Sequence, residues 1–285
     1  MSHTLSAFVE RLVLTGSAAI NGTGNDVANQ ITGNSGANRL FGRGGNDILI
    51  AAGNGADDLD GGEGSDVFYV DNSDTVNDTG ATGIDTIVST GGYTLTAGSG
   101  VENIMIKAGT ANAATLTGDA LNNRLTGNDG DNSLRGLAGN DILQGGLGND
   151  KLLGGLGRDV LIGGDGSDTF IINAGDSPAT NPPLAFDTLN DFATGVDSID
   201  LDFIGGGGLV ASAYAEVTIA SNGFAQVKAA ATAAMADGTH LAVFVAGSVD
   251  GWLLWNTDAD PHTPDQAVRL VGQNNVADFA RTDLI

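Results

Sequence analysis

Residues 118–171 read GDALNNRLT, GNDGDNSLR, GLAGNDILQ, GGLGNDKLL, GGLGRDVLI and GGDGSDTFI, six nonapeptides without a gap. Position six holds Asn123, Asn132, Asp141, Asp150, Asp159 and Asp168; position eight holds Leu125, Leu134, Leu143, Leu152, Leu161 and Phe170. Nine residues are too few for a domain, so each block must be one supersecondary unit stacked on its neighbours. The end of each block is a minimal strand whose middle, apolar side chain faces one side. The Gly-rich start is a turn, because glycine adopts positive φ and lets backbones approach. Turn and strand alternating every nine residues close one coil in two repeats. This predicts that the position-eight residues pile into a thin core, with turns stacked along both sides.

The same stacking sets Asp141 over Asp159 and Asp150 over Asp168, with glycine carbonyls turned toward the gap. Carboxylates that close together in a partly dry turn repel. Carboxylate and carbonyl oxygens are the ligand set of a hard cation, and flexible geometry with many carbonyls favours calcium over magnesium. Coordination replaces repulsion, so binding and folding are expected to be one event. The competing reading of such a composition is a disordered acidic linker. An apolar residue at position eight in all six blocks opposes it for the calcium-loaded chain. Without calcium, the chain is expected to be unfolded.

A companion run from Gly24 to Tyr69 holds five nonapeptides with one extra residue at Ala51. Its sixth positions are Asn29, Asn38, Asp47, Asp57 and Asp66, and its eighth are Ile31, Leu40, Leu49, Leu59 and Phe68. Both runs drift from Asn to Asp and end in Gly-Ser-Asp-x-Phe, where the Phe is expected to plug the open end of the core. An Asn amide is a neutral and weaker calcium ligand, so early coils are expected to hold little or no metal.

The blocks resemble the G-G-x-G-x-D-x-U-x repeat of RTX (hemolysin-type) calcium-binding proteins, with U a large apolar residue; residues 145–171 fit it at every fixed position. The resemblance implies a parallel β-roll folded around several calcium ions. Candidate carboxylate and amide ligands are Asp47, Asp57, Asp66, Asn132, Asp141, Asp150, Asp159 and Asp168. Candidate carbonyl donors are Gly61, Gly62 and Gly64 in the first run. In the second they are Gly136, Gly139, Gly145, Gly146, Gly148, Gly154, Gly155, Gly157, Gly163, Gly164 and Gly166.

Composition agrees with a cation binder. The 285 residues include 45 Gly and carry 11 basic against 35 acidic side chains, a formal charge of −24. That balance argues against nucleic acid and anionic membranes, which want basic patches. The chain has no Cys, which excludes disulfides and thiolate metal sites and suits passage from a reducing to an oxidising compartment. No 18-residue apolar run and no N-terminal signal peptide is visible.

In chain order, residues 1–23 resemble the end of a later segment: His3-Thr4-Leu5…Val9-Glu10-Arg11-Leu12 matches Tyr93-Thr94-Leu95…Val101-Glu102-Asn103-Ile104. This reads as the tail of an upstream unit and the C-terminal part of a longer protein. Residues 24–70 form the first β-roll segment, 71–117 connecting solenoid coils, and 118–172 the second segment. Residues 173–186 form a Pro-rich linker and 187–285 a β-rich cap. Strands are predicted near 214–220, 241–246, 252–256 and 267–271, with a short helix around 226–235. On the strand holding Trp252 and Trp255, one ring is expected in the core and one exposed, where it could stack on a sugar.

Residues 186–201, FDTLNDFATGVDSIDL, resemble the segment after the last repeat in serralysin-type proteases and alginate-epimerase R-modules. Asp187 and Asp191 are candidates to close a final calcium site; the alternative is that they cap turns. The end, Ala277-Asp278-Phe279…Asp283-Leu284-Ile285, resembles the C-terminal signal of RTX proteins exported by type I machinery. Asp258 and Asp260 lie in a turn-like stretch that could hold a cation, though EF-hand spacing fails.

The three histidines, His3, His240 and His262, make no H-E-x-x-H helix, and neither G-x-S-x-G nor a phosphate-binding glycine loop occurs. No enzyme activity is expected. The reading is an all-β protein: a parallel β-roll in two calcium-binding segments plus a C-terminal β-rich cap. It is expected to be secreted or at the bacterial cell surface. Partners are calcium and the type I secretion machinery, with no nucleic acid and no membrane insertion. Two other classes stay open: a surface-layer or adhesin segment that self-associates, and an accessory module of a secreted protease, lipase or polysaccharide epimerase, with a glycan as partner.

Overall fold

The computed structural model describes residues 2–109, 111–173, 175–176, 186–201, 214–218, 224–236, 242–247, 249–255, 264, 266–274 and 279. The chain divides into two compact units, residues 1–129 and 130–285. Among the described residues it is nearly all β, with one helix at Phe224–Ala234.

In the first unit the strands form parallel ladders, and each pairs with the strand two repeats on. Gln30–Thr32 pairs with Ile48–Ile50, then Val67–Val70, Thr86–Ser89, Asn103–Ile106 and Arg124–Thr126 follow in one sheet. On the other side Arg39–Gly44 pairs with Asp58–Glu63, and that with Thr75–Val76. The register puts position eight on position eight: Ile31 faces Leu49, Leu49 faces Phe68, and Leu40 faces Leu59. These side chains are fully buried. Each position-eight burial contributes about 1.5–3 kcal/mol, which gives the slender column its apolar cohesion.

Phe68 does not plug an end. It sits within the column between Leu49 and Ile87, because Thr86–Ser89 continues the sheet. Phe170 likewise lies between Leu152 and Ile199.

The second unit repeats the design. Ser133–Ala138, Lys151–Leu156, Thr169–Ile171 and Ser198–Asp200 form one parallel sheet. Ile142–Leu147, Val160–Asp165 and Asp187–Leu189 form the other. Gln266–Leu270 then adds to Asp187–Leu189 in parallel, so the roll's sheet runs on into the terminal region. Gly251–Trp255 and Ala242–Ala246 follow antiparallel, and Tyr214–Thr218 closes the edge in parallel. These strands and the helix stand where the sequence predicts them.

The helix lays Val227 and Ala231, and the turn after it Met235, on Val245, Trp252, Leu254 and Ala267. Phe186 meets Trp252 edge-on at 4.8 Å. On the roll side, Phe170, Phe192, Phe279 and Phe244 form a row with centroids 6.0, 5.7 and 4.7 Å apart. That row, rather than Phe170 alone, closes the roll's core. Covered on both faces, strand Gly251–Trp255 buries every residue. Trp252 and Trp255 are therefore both core, which corrects the expectation that one is exposed and removes it as a sugar platform.

Candidate metal centre

The turns take their shape from two glycine constraints. Position two turns to positive φ, as at Gly146 (+125°) and Gly155 (+103°). At two turns without glycine there, the backbone does the same at strain: Arg43 has φ +87° and Leu137 +85°. Position one has no room for a side chain. A Cβ on Gly145 would lie 2.1 Å from Asp150 Oδ2 and 2.5 Å from the Gly163 carbonyl oxygen. The position-six carboxylate thus folds back over its own turn, under a carbonyl from the next coil.

Each such carboxylate uses Oδ1 to tie coils together. In the second unit the amides of Asn132, Asp150 and Asp168 donate to Asp150, Asp168 and Asp197 at 2.7, 2.8 and 2.9 Å. On the other side Asp141 donates to Asp159 at 2.7 Å and Asp159 to Asp187 at 2.9 Å. In the first unit the amides of Asn29, Asp47 and Asp66 donate to Asp47, Asp66 and Asp85 at 2.6, 2.6 and 2.7 Å. Asn38 and Asp57 donate to Asp57 and Asp74 at 2.7 and 2.9 Å.

The second oxygen is left over. Oδ2 of Asp47, Asp66, Asp150, Asp159 and Asp168 is buried and accepts no hydrogen bond. Burial raises these carboxyls, partly offset by the amide bond and reinforced by the neighbouring carboxylates. Asp47 and Asp150 rise to about 7, and Asp57, Asp66, Asp159 and Asp168 to about 6. Burial also lifts Asp187 well above the usual carboxylate range. A buried carboxylate oxygen without a donor costs free energy unless a proton or cation meets it. Among the described residues no three acidic or imidazole groups converge, so backbone carbonyls must supply the remaining ligands. Oxygen-only donors, flexible and mostly neutral, fit calcium.

Residues 22–52, 32–68, 49–74, 117–152 and 144–177 match the family model of the RTX calcium-binding nonapeptide repeat. The two runs are RTX calcium-binding repeats. Among solved structures, this chain is similar to the AlgE6R2 subunit of the Azotobacter vinelandii mannuronan C5-epimerase. The identity is 23%, over 62% of this chain and 92% of that one, with a TM-score of 0.38. It is similar to the AlgE6R3 subunit at 25% identity, over 61% and 77%, with a TM-score of 0.29. The extracellular lipase LipA from Serratia marcescens shows 21% identity over 95% of this chain and 40% of the lipase, with a TM-score of 0.36. No curated protein matches this chain.

The RTX turns bring together the carboxylates that the sequence stacks: Asp141 with Asp159 and Asp150 with Asp168. Asp187 takes the next rung above Asp159. Asp191 turns both oxygens to backbone, accepting from Gly163 and Gly164 at 2.9 and 2.7 Å. The turns at Asn29 and Asn38 satisfy themselves. The Asn38 amide donates to the Ile20 carbonyl at 2.7 Å and to Asn34 Oδ1 at 3.0 Å, and Asn29 does the same with Val9 and Asn25. Their own N–H groups stand in place of a cation. Sequence reasoning missed Asp74, Asp85, Glu102 and Asp197 as rungs, the Asp85 amide donating to Glu102 at 2.8 Å. The signal was present in Gly80-Ala81-Thr82-Gly83-Ile84-Asp85-Thr86-Ile87, which keeps glycine at one and four, Asp at six and an apolar residue at eight. Asp258, Asp260 and the Pro-rich stretch 177–185 lie outside the described residues.

A pH dependence follows. Raised carboxyls are protonated more readily in the fold than in the unfolded chain, where they titrate near 3.8. Their contribution is complete below that value and is lost as pH rises through about 6 to 7. In chelator, β-content by circular dichroism is therefore expected to grow from pH 7.5 down to 5. With calcium bound the order reverses, since protons compete with the ion. A chelated chain equally unfolded at both pH values would contradict this.

Proposed function

We propose that this chain is an export-coupled module that stays unfolded where calcium is scarce and folds into its β-roll where calcium is plentiful. The observation that carries the reading is the series of buried, donor-free Oδ2 atoms on Asp47, Asp66, Asp150, Asp159 and Asp168. Without a cation these turns hold several buried negative charges under a thin apolar column. With one ion per pair of turns, repulsion becomes coordination. Extracellular calcium modules bind at about 10⁻⁴–10⁻³ M, which leaves the sites empty in a cytosol and filled outside. An unfolded chain suits passage through a type I export channel, and the acidic-then-apolar end, residues 277–285, supports that route; only Phe279 of it is described. Among the described residues no helix is long and apolar enough to cross a membrane. Far-UV circular dichroism should show β-structure appearing between chelator and millimolar calcium at pH 7.5. Equal spectra in both would defeat the proposal.

A further inference from the structure

Along the strands of the first unit's longer sheet, one side chain points inward and the next outward. Leu49, Phe68, Ile87 and Ile104 fill the column, so their neighbours form two outward rows, with two residues from each of seven strands. One row runs from Arg11 through Ile48 and Val67 to Arg124. The other runs from Val13 through Ile50, Tyr69, Val88 and Met105 to Thr126. None of these fourteen residues is acidic, in a chain with 35 acidic side chains. The sheet across the roll differs, since Asp58 and Asp60 lie outward there and bond to Arg39 and Thr79. Beside Tyr69, whose ring side is 39% exposed, opens a groove of about 420 Å³. It is lined by Ile50, Tyr69 and Val88 of the strip and by Asn54, Thr90 and Lys107. The carboxylate at its rim, Asp71, is engaged by the amide and hydroxyl of Ser73.

We propose that this carboxylate-free strip, centred on Tyr69, is a binding surface for a linear glycan. Shape selects the occupant. Six strand steps of about 4.8 Å and two rows about 7 Å apart make a strip about 29 Å long and two residues wide. The area between the rows is about 200 Å², a fraction of the about 800 Å² that a stable protein interface buries on each partner. Long and narrow, it is the footprint of one polymer chain. Chemistry narrows the choice further. Sugar rings offer C–H faces to aliphatic and aromatic side chains, and hydroxyls at their edges to amide, hydroxyl and ammonium groups. The strip supplies the first through Ile50, Tyr69 and Val88, and the groove's rim supplies the second through Asn54, Thr90 and Lys107. Without carboxylates, and with Arg11 and Arg124 on one row, the strip admits acidic as well as neutral sugars, although the chain carries −24. The inference needs only the folded roll and goes beyond the calcium reading.

The test is isothermal titration of the full chain at saturating calcium with two probes, a β-linked glucose hexasaccharide and a hexuronate hexasaccharide. It compares the parent chain with Tyr69→Thr and Leu156→Ala. Threonine suits an outward strand position, as Thr32 and Thr126 show on the same row, so Tyr69→Thr should fold, which circular dichroism checks. Leu156 is an exposed apolar residue of the second unit and serves as the control. The parent is expected to bind at least one probe, and Tyr69→Thr to weaken that binding by about tenfold. Leu156→Ala should leave it unchanged. Binding of the hexuronate alone, weakened by salt, supports an acidic glycan; binding of both probes supports recognition of the rings themselves. Amide shifts in the titrated parent should centre on residues 48–50, 67–70 and 86–89. Binding of neither probe in the millimolar range, equal binding by Tyr69→Thr, or shifts that fall elsewhere would overturn the proposal. So would a calcium-loaded dimer that Tyr69→Thr dissolves, since the occupant would then be a second copy of the chain.

Discussion

Asp150→Ala is expected to raise the calcium concentration at the folding midpoint by about tenfold, the change that follows from losing ~1.4 kcal/mol of binding. The side chain does two jobs. Its Oδ1 accepts the Asn132 amide from the coil before, and its Oδ2 is one of the buried oxygens that await a cation. Alanine removes both, leaving a buried amide without an acceptor and a turn without its carboxylate. The Asp150 amide also donates to Asp168, so the damage reaches the next coil through the same ladder. Coils stabilise one another as nearest neighbours, which makes the transition steep and lets one weak rung shift the midpoint of the unit. Asn29→Ala is the contrast, since its turn is closed by side-chain amide bonds to Asn25 and Val9. Its midpoint should move by less than about twofold, though the chain should lose some stability at every calcium concentration. Titrations of both variants followed by circular dichroism decide between these outcomes.

Gly145→Val is expected to abolish folding of the second unit at any accessible calcium concentration. The obstacle is steric and electrostatic together. The first side-chain carbon would sit 2.1 Å from Asp150 Oδ2 and 2.5 Å from the Gly163 carbonyl oxygen. The carboxylate cannot swing away without giving up its place in the turn, and the carbonyl is backbone fixed by parallel pairing of Ile142–Leu147 with Val160–Asp165. Opening that pair costs more than the about 5 kcal/mol that separates many domains from unfolding. Gly16→Ala serves as the control, at φ +86° with nothing within 4 Å of the added carbon. Only the backbone preference acts there, about 1–2 kcal/mol. Thermal melts at saturating calcium should show a modest shift for Gly16→Ala and no cooperative transition of the second unit for Gly145→Val.

What the sequence discloses and what it hides divide along local and non-local lines. Position six and position eight repeat at a fixed spacing, so Asp150 over Asp168 and Leu152 under Phe170 follow from counting. The rungs Asp74 and Asp197 escape counting because they stand 17 and 29 residues from the carboxylates they follow, Asp57 and Asp168. Asp159 reaches Asp187 across 28 residues, where the regular step from Asp150 to Asp168 is 18. Asp187–Leu189 returns to register on Val160–Asp165, which only tertiary pairing reveals. Trp252 and Trp255 mislead for a similar reason. Alternation puts their side chains on opposite faces, but nothing local says that a helix covers one face and a phenylalanine row the other. The Asn turns show the reverse: their chemistry, a neutral amide able to donate, is legible from residue type and agrees with the bonds it makes.

The central claim is that ions between stacked turns supply cohesion that the apolar column lacks. The most direct test is a crystal grown in calcium, with anomalous scattering collected at a wavelength sensitive to that ion. The account predicts peaks between successive Gly/Asp turns, among them one beside Oδ2 of Asp150 and Asp168. A well-ordered roll with no anomalous peak at those turns would contradict it.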